Sequence, residues 1–292
     1  MTAYKEKYEN YLADFEKALD GFCGSLNCKP EKLAESLKYS LKSGGKRLRP
    51  VLMFAVGELL GVDRTSLTNF ALALELIHTY SLIHDDLPEM DNDDYRRGRL
   101  TSHKVFGTGN AVLAGDGLLN TAYSLLFGEC FNGNDCVSAA KFICDCAGIY
   151  GMIAGQSADL EHENDTLVDE NLLNFIYENK TAKLLTAAVV VPSILCGGKY
   201  YSELKTFGSV LGNLFQLTDD ILDVEGNFEQ LGKSTGKDSA EGKYTGVRLY
   251  GLDGCKVRAD VLASKCTGIL EKFDGDTSFL KELVSFVRQR IC

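Results

Sequence analysis

Apolar residues recur at three- and four-residue spacing through almost all of this 292-residue chain, and only four prolines are available to interrupt them. A period near 3.6 lets a helix bury one face, whereas a half-buried strand needs strict alternation. Residues 4–22, 31–43, 48–61, 65–84, 110–128, 136–160, 170–196, 202–224, 255–273 and 277–290 carry the helical pattern. The best strand candidate, VVV at 189–191, sits inside a longer helical register. The expected fold is therefore all-α: one domain over residues 1–292, built from about ten helices, several of them too apolar to face water.

Breaks fall at glycine and polar clusters: SGGK (43–46), FGTGN (106–110), FNGND (131–135), CGGKY (196–200) and GNFEQLGKSTGKD (226–238). None is long enough to read as a domain linker. The longest apolar run, LLTAAVVVPSILC (184–196), is too short to span a bilayer and contains Pro192, so no transmembrane segment is expected. The N-terminal stretch MTAYKEKYENYLADFEKAL is charged and amphipathic, with no apolar signal core. The ten cysteines lack zinc-site spacing and read as reduced thiols, which points to the cytoplasm. A net charge of −10 argues against a nucleic-acid partner.

Much of that acidity is concentrated. SLIHDDLPEMDNDDYRRG (81–98) holds Asp85, Asp86, Glu89, Asp91, Asp93 and Asp94, then Arg96 and Arg97. FQLTDDILDVEGN (215–227) places Asp219 four residues before Asp223, and Gln216 four before Asp220, on adjacent stripes of one helical face. Carboxylates stacked on an apolar helix repel one another and lose hydration. A solvated face would interleave lysines, and residues 206–232 contain none. Two readings follow, a metal site and a solvated helix face. All-oxygen donors with no sulfur favour Mg²⁺, which prefers to bind together with substrate phosphates. The spacing excludes an EF-hand, because Arg96 and Ser102 stand where its glycine and glutamate belong.

Cations flank these acids. GGKRLRP (44–50) brings Lys46, Arg47 and Arg49 to a helix start; Arg96, Arg97 and Arg99 follow the first cluster; Lys180 lies in ENKTAKL; Lys233 and Lys237 lie in GKSTGKD. Arginine forks match phosphate oxygens bidentately. No phosphate-binding loop of the G-x-x-x-x-G-K-[ST] type occurs, so a nucleoside triphosphate fits poorly. A diphosphate bound through Mg²⁺, with an apolar tail among helices, fits better.

DDLPEMD (85–91) with RRG (96–98) resembles the first aspartate-rich motif of trans-isoprenyl diphosphate synthases, and FQLTDDILD (215–223) resembles their second. GGKRLRP (44–50), IHTYSLIHDD (77–86), GQSADL (155–160), KTAKL (180–184) and LGK (231–233) match in order, so the resemblance covers nearly the whole chain and is nearest to bacterial-type farnesyl diphosphate synthases. It implies helices around a central apolar cavity, a homodimer, and Mg²⁺, with three ions when diphosphate is bound. It implies that Asp85, Asp91 and Asp219 coordinate Mg²⁺, with Asp86, Asp220 and Asp223 as ligands or their supports. Arg96, Lys180 and Lys233 would contact the allylic diphosphate, and Lys46, Arg49, His78 and Arg97 the diphosphate of isopentenyl diphosphate. Thr181 and Gln216 would present oxygens to the developing allylic cation.

Tyr80 and Ser81 precede Asp85 by about one helical turn, roughly 6–7.5 Å along the axis. Tyr80 would then block a growing prenyl tail, which favours a fifteen-carbon product over a twenty-carbon one. A terpene cyclase, a non-catalytic subunit and a purely structural helical protein are the competing classes. One stretch departs from the resemblance: in SAEGKYTGVRLYGLDG (239–254), Gly246 and Val247 stand where a helix is expected to continue.

Overall fold

The computed structural model describes residues 3–163, 165–225 and 243–289. Helices account for nearly all of the ordered structure, as the periodicity predicts. They run α1 (Ala3–Ser25), α2 (Glu31–Leu41), α3 (Leu48–Leu60), α4 (Arg64–Asp85), α5 (Ser102–Phe106), α6 (Thr108–Glu129), α7 (Asn134–Ala147) and α8 (Met152–Glu161). Then follow α9 (Glu170–Ile176), α10 (Lys183–Leu195), α11 (Tyr201–Glu225), α12 (Gly246–Leu270) and α13 (Ser278–Gln289). A two-stranded ribbon, β1 (Tyr95–Arg96) and β2 (Arg99–Leu100), lies between α4 and α5.

A single cluster of buried apolar side chains draws on helices from α1 to α13, with Phe15, Phe54, Phe70 and Phe207 among its largest members. α10 lies at its centre, packed on α3, α7 and α11. VVV (189–191) is fully buried there as helix, since a helix surrounded on all sides needs no polar stripe. α11 reaches α10 closely because Gly212 has no side chain: a Cβ there would come within 2.3 Å of Ala182.

Three local features depart from the sequence reading. The expected helix 136–160 divides at Gly148–Gly151 into α7 and α8, of 14 and 10 residues, each short of the roughly 20 needed to cross a bilayer. The run 170–196 is continuous, but residues Tyr177–Ala182 form a π-helical turn. The last long helix starts at Gly246, earlier than residue 255, and is kinked at Gly251 (φ 68°), which shifts the apolar register and hides the first turns from a periodicity test.

Candidate active site

α4 ends at Asp85 because the chain turns back on itself. Leu87 N donates to His84 O at 3.1 Å, Met90 N to Leu87 O at 2.9 Å, and Asp91 N to Asp85 O at 2.8 Å. The DD-x-x-x-x-D spacing is thus one closed loop that returns Asp91 to Asp85. Arg97 and Gly98 then both take positive φ (54° and 73°), making the tight turn of the β1–β2 ribbon. That turn carries Arg96 and Arg97 back over the acids.

These residues border a cavity of about 810 Å³, shared with α4, α6, α8, α11 and the π turn. Asp85 and Asp91 line it from one motif and Asp219 and Asp220 from the other. Arg49, His78, Arg96, Arg97, Lys180, Thr181 and Gln216 line it too, as do Tyr80 and Ser81. The π turn brings Tyr177, Lys180 and Thr181 to the same wall, a use of π geometry common at functional sites.

Other predicted residues lie elsewhere. Asp86 is buried behind the wall, where Arg96 Nε donates to its Oδ1 at 2.6 Å. Asp223 is buried on α11 and does not border the cavity. Lys46 is exposed, its ammonium 5.3 Å from the centre of the Phe286 ring. Lys233 lies outside the described residues. Arg47, two positions from Arg49, turns inward: its Nη1 donates to Glu75 Oε1 at 2.9 Å and its Nε to Glu16 Oε1 at 2.8 Å.

Several residues that complete the site were not singled out from sequence. Lys243 Nζ lies 3.1 Å from Asp91 Oδ1, and Lys180 Nζ lies 2.5 Å from Asp159 Oδ2. Asp159 sits in the GQSADL segment, and Tyr177 is four residues before Thr181 on the same helical face. Those spacings were the available signals. Thr181 Oγ1 donates to Gln216 Oε1 at 2.6 Å, and Gln216 Nε2 donates to Asp220 Oδ1 at 3.0 Å, linking the π turn to α11.

The electrostatics divide the site into two regions. Burial pushes the Asp85 carboxyl up to about 6. Burial also opposes ionisation of Asp91, but Lys180 and Lys243 outweigh it and hold that carboxyl below its usual range. Burial alone would lower the Lys180 ammonium, yet Asp159, Asp85 and Asp91 raise it. On the other side, burial lowers Arg49 to about 10, and its buried Nε has no hydrogen-bond partner among the described residues. Burial, together with Arg49 and Arg97, lowers His78 well below its ordinary value. A pocket holding Arg49, Arg97 and a neutral imidazole is short of negative charge and suits an anion.

Among the described residues, no three His, Cys, Asp or Glu side chains converge as a preformed metal cluster. Asp85, Asp91 and Asp219 nonetheless offer only hard oxygen donors around one cavity, the set that suits Mg²⁺.

The polyprenyl synthetase family model matches residues 30–278. The chain belongs to the polyprenyl synthetase family. Among relatives in this family, it is 40% identical over 295 residues to farnesyl diphosphate synthase of Bacillus subtilis (strain 168), covering 97% of this chain and 98% of that protein. It is 43% identical over 249 residues to geranylgeranyl pyrophosphate synthase, chloroplastic, of Capsicum annuum, covering 84% of this chain and 68% of the relative. The fold matches the geranyltransferase of Helicobacter pylori crystallised with magnesium and isoprenyl diphosphate: TM-score 0.84, 31% identity, 99% of this chain and 97% of that one. The Legionella pneumophila geranyltransferase gives a TM-score of 0.86 at 32% identity, over 98% and 97% of the two chains.

Proposed function

We propose that this family member is a prenyltransferase that condenses isopentenyl diphosphate with dimethylallyl and then geranyl diphosphate to make farnesyl diphosphate. One observation carries the reading: a single cavity combines two aspartate motifs, cations from two parts of the chain and an apolar lining that includes Tyr80. Two cationic groups fit two diphosphates, whereas a cyclase needs one. Relatives named as farnesyl and as geranylgeranyl diphosphate synthases share this family, and Tyr80 favours the shorter product.

Asp85, Asp91 and Asp219 would hold Mg²⁺, which when bound neutralises the diphosphate and stabilises it as a leaving group. Lys180, Arg96 and Lys243 donate to the allylic diphosphate oxygens. Arg49, Arg97 and His78 hold the diphosphate of isopentenyl diphosphate and aim its double bond at the allylic carbon. The allylic C–O bond breaks, the double bond supplies the electron pair for the new C–C bond, and a proton leaves to the released diphosphate. Thr181 and Gln216 direct oxygen dipoles toward the positive carbon. The apolar helices exclude water, which would otherwise capture the cation.

A homodimer accords with the exposed apolar side chains Leu113, Phe127 and Phe131 along α6 and just beyond it, which a second copy would cover. The nine cysteines among the described residues form no disulfide, which accords with a cytoplasmic enzyme.

Chromatography of products from labelled isopentenyl diphosphate, primed separately with dimethylallyl and geranyl diphosphate, tests the reading. Elongation to fifteen carbons, dependent on Mg²⁺, is expected. Turnover of an allylic diphosphate alone, or full rate in excess EDTA, would overturn it.

A further inference from the structure

Asp220 belongs to the second aspartate motif, yet its carboxylate is engaged in protein contacts. Oδ1 accepts from Gln216 Nε2 at 3.0 Å. Oδ2 accepts from the Tyr177 hydroxyl and, at 2.7 Å, from the backbone N–H of Gly246. The same N–H lies 2.8 Å from the Tyr177 hydroxyl oxygen. Tyr177, Asp220 and Gly246 are all buried.

Gly246 is the first residue of α12, so its N–H is one that the helix itself cannot satisfy. A carboxylate at that end is favoured by the helix dipole as well as by the hydrogen bond. A side chain here would force its neighbours to shift: a Cβ on Gly246 would lie 2.8 Å from both Leu217 Cδ1 and the Tyr177 hydroxyl. The departure seen at Gly246 in the sequence therefore has a physical reason. The three residues before it, Lys243 to Thr245, form part of the cavity wall, and Lys243 reaches Asp91 across it.

We propose that Tyr177 and Asp220 are positioning residues: they clamp the N-terminus of α12 and so hold Lys243 at the wall where the allylic diphosphate binds. The role of Lys243 rests on the function proposed above; the clamp itself does not. Asp220 thus serves the second motif by fixing a distant segment, and Asp219 beside it is the member of the pair assigned to metal.

Tyr177→Phe tests this, because it keeps the ring and removes only the hydroxyl. Losing one such hydrogen bond predicts a rise of about 3- to 10-fold in KM for the allylic diphosphate. KM for isopentenyl diphosphate should hold steady, the half-saturating Mg²⁺ concentration should not rise, and amide hydrogen exchange over 243–250 should quicken. A merely structural loss would lower the active fraction, and hence kcat, without that split. Asp220→Asn should repeat the Tyr177→Phe signature, whereas Asp219→Asn should raise the half-saturating Mg²⁺. The proposal is overturned if Tyr177→Phe leaves exchange and KM at wild-type values. It is equally overturned if Asp220→Asn raises the Mg²⁺ requirement as Asp219→Asn does. Faster exchange in Tyr177→Phe, in a protein that turns over no prenyl diphosphate, would support the clamp and reject the substrate reading.

Discussion

Lys243 Nζ stands 3.1 Å from Asp91 Oδ1, so a cation from the approach to α12 sits on the last carboxylate of the first aspartate motif. Lys180 adds to its positive field on Asp85 and Asp91. Lys243→Gln should therefore tighten Mg²⁺ binding to the substrate-free protein while weakening allylic diphosphate. Calorimetric titration with each separately checks this, and weaker Mg²⁺ binding in the variant would contradict it.

Asp85 offers a pH test. Its carboxyl is pushed up to about 6 by burial, above the unfolded value of about 3.9. Between those values the folded form binds the proton more tightly than the unfolded one. This group's contribution to stability accordingly falls as pH rises from about 4 to about 6. Mg²⁺ competes with that proton, so the half-saturating Mg²⁺ concentration should climb as pH drops below about 6. Thermal melts should show greater stabilisation by Mg²⁺ above that pH than below it. A Mg²⁺ requirement flat across this range would count against the assignment.

Removing a metal ligand should cost more than removing its support. Loss of outer partners typically lowers affinity or activity about 10- to 100-fold. Asp85→Ala and Asp219→Ala should each exceed about 100-fold in kcat/KM on that basis. Retention of full rate by the double variant in a steady-state assay would end the metal-site reading.

Tyr80 is buried beside the cavity, with its ring edge-on to His84 at 5.6 Å between centroids. His84 is itself held by its Nε2 at 3.0 Å from Val112 O, so the aromatic wall has support from α6. Tyr80→Ala should deepen the cavity and shift the product toward twenty carbons or more. An unchanged chromatographic profile would remove Tyr80 from chain-length control.

Arg47 and Glu75 form a buried pair with side chains almost wholly sequestered from solvent. Removing Glu75 leaves Arg47 paired with the partly exposed Glu16 alone, so the cost should fall below the about 3–5 kcal/mol of a buried charge left with no partner. Glu75→Gln should lower the urea midpoint accordingly, and a midpoint equal to wild type would show the pair contributes nothing.

The helices were legible because their signal is local: a buried stripe must recur at the helical period wherever it lies in the chain. The acidic clusters were legible for a similar reason, since Asp85 and Asp91 belong to a loop closed by its own backbone hydrogen bonds. Asp159, Tyr177 and Lys243 carried no comparable mark. Each matters through a partner on another element: Lys180, Asp220 and Asp91. The break at Gly148–Gly151 was hidden because apolar residues continue through it, including the exposed Ile149 and Tyr150.

By itself the sequence determined an all-helical chain carrying two aspartate motifs and flanking cations, because spacing along a helix dictates which residues share a face. Only the tertiary structure decided which charges face the cavity. Arg47, with its left-handed φ of 47°, turns in to Glu75, while Arg49, already within α3, borders the cavity. Asp85 likewise faces the cavity while Asp86 is turned back to Arg96. Side chains one or two positions apart on a helix diverge by roughly 100° to 200°, and what each then meets is set by elements distant in the chain.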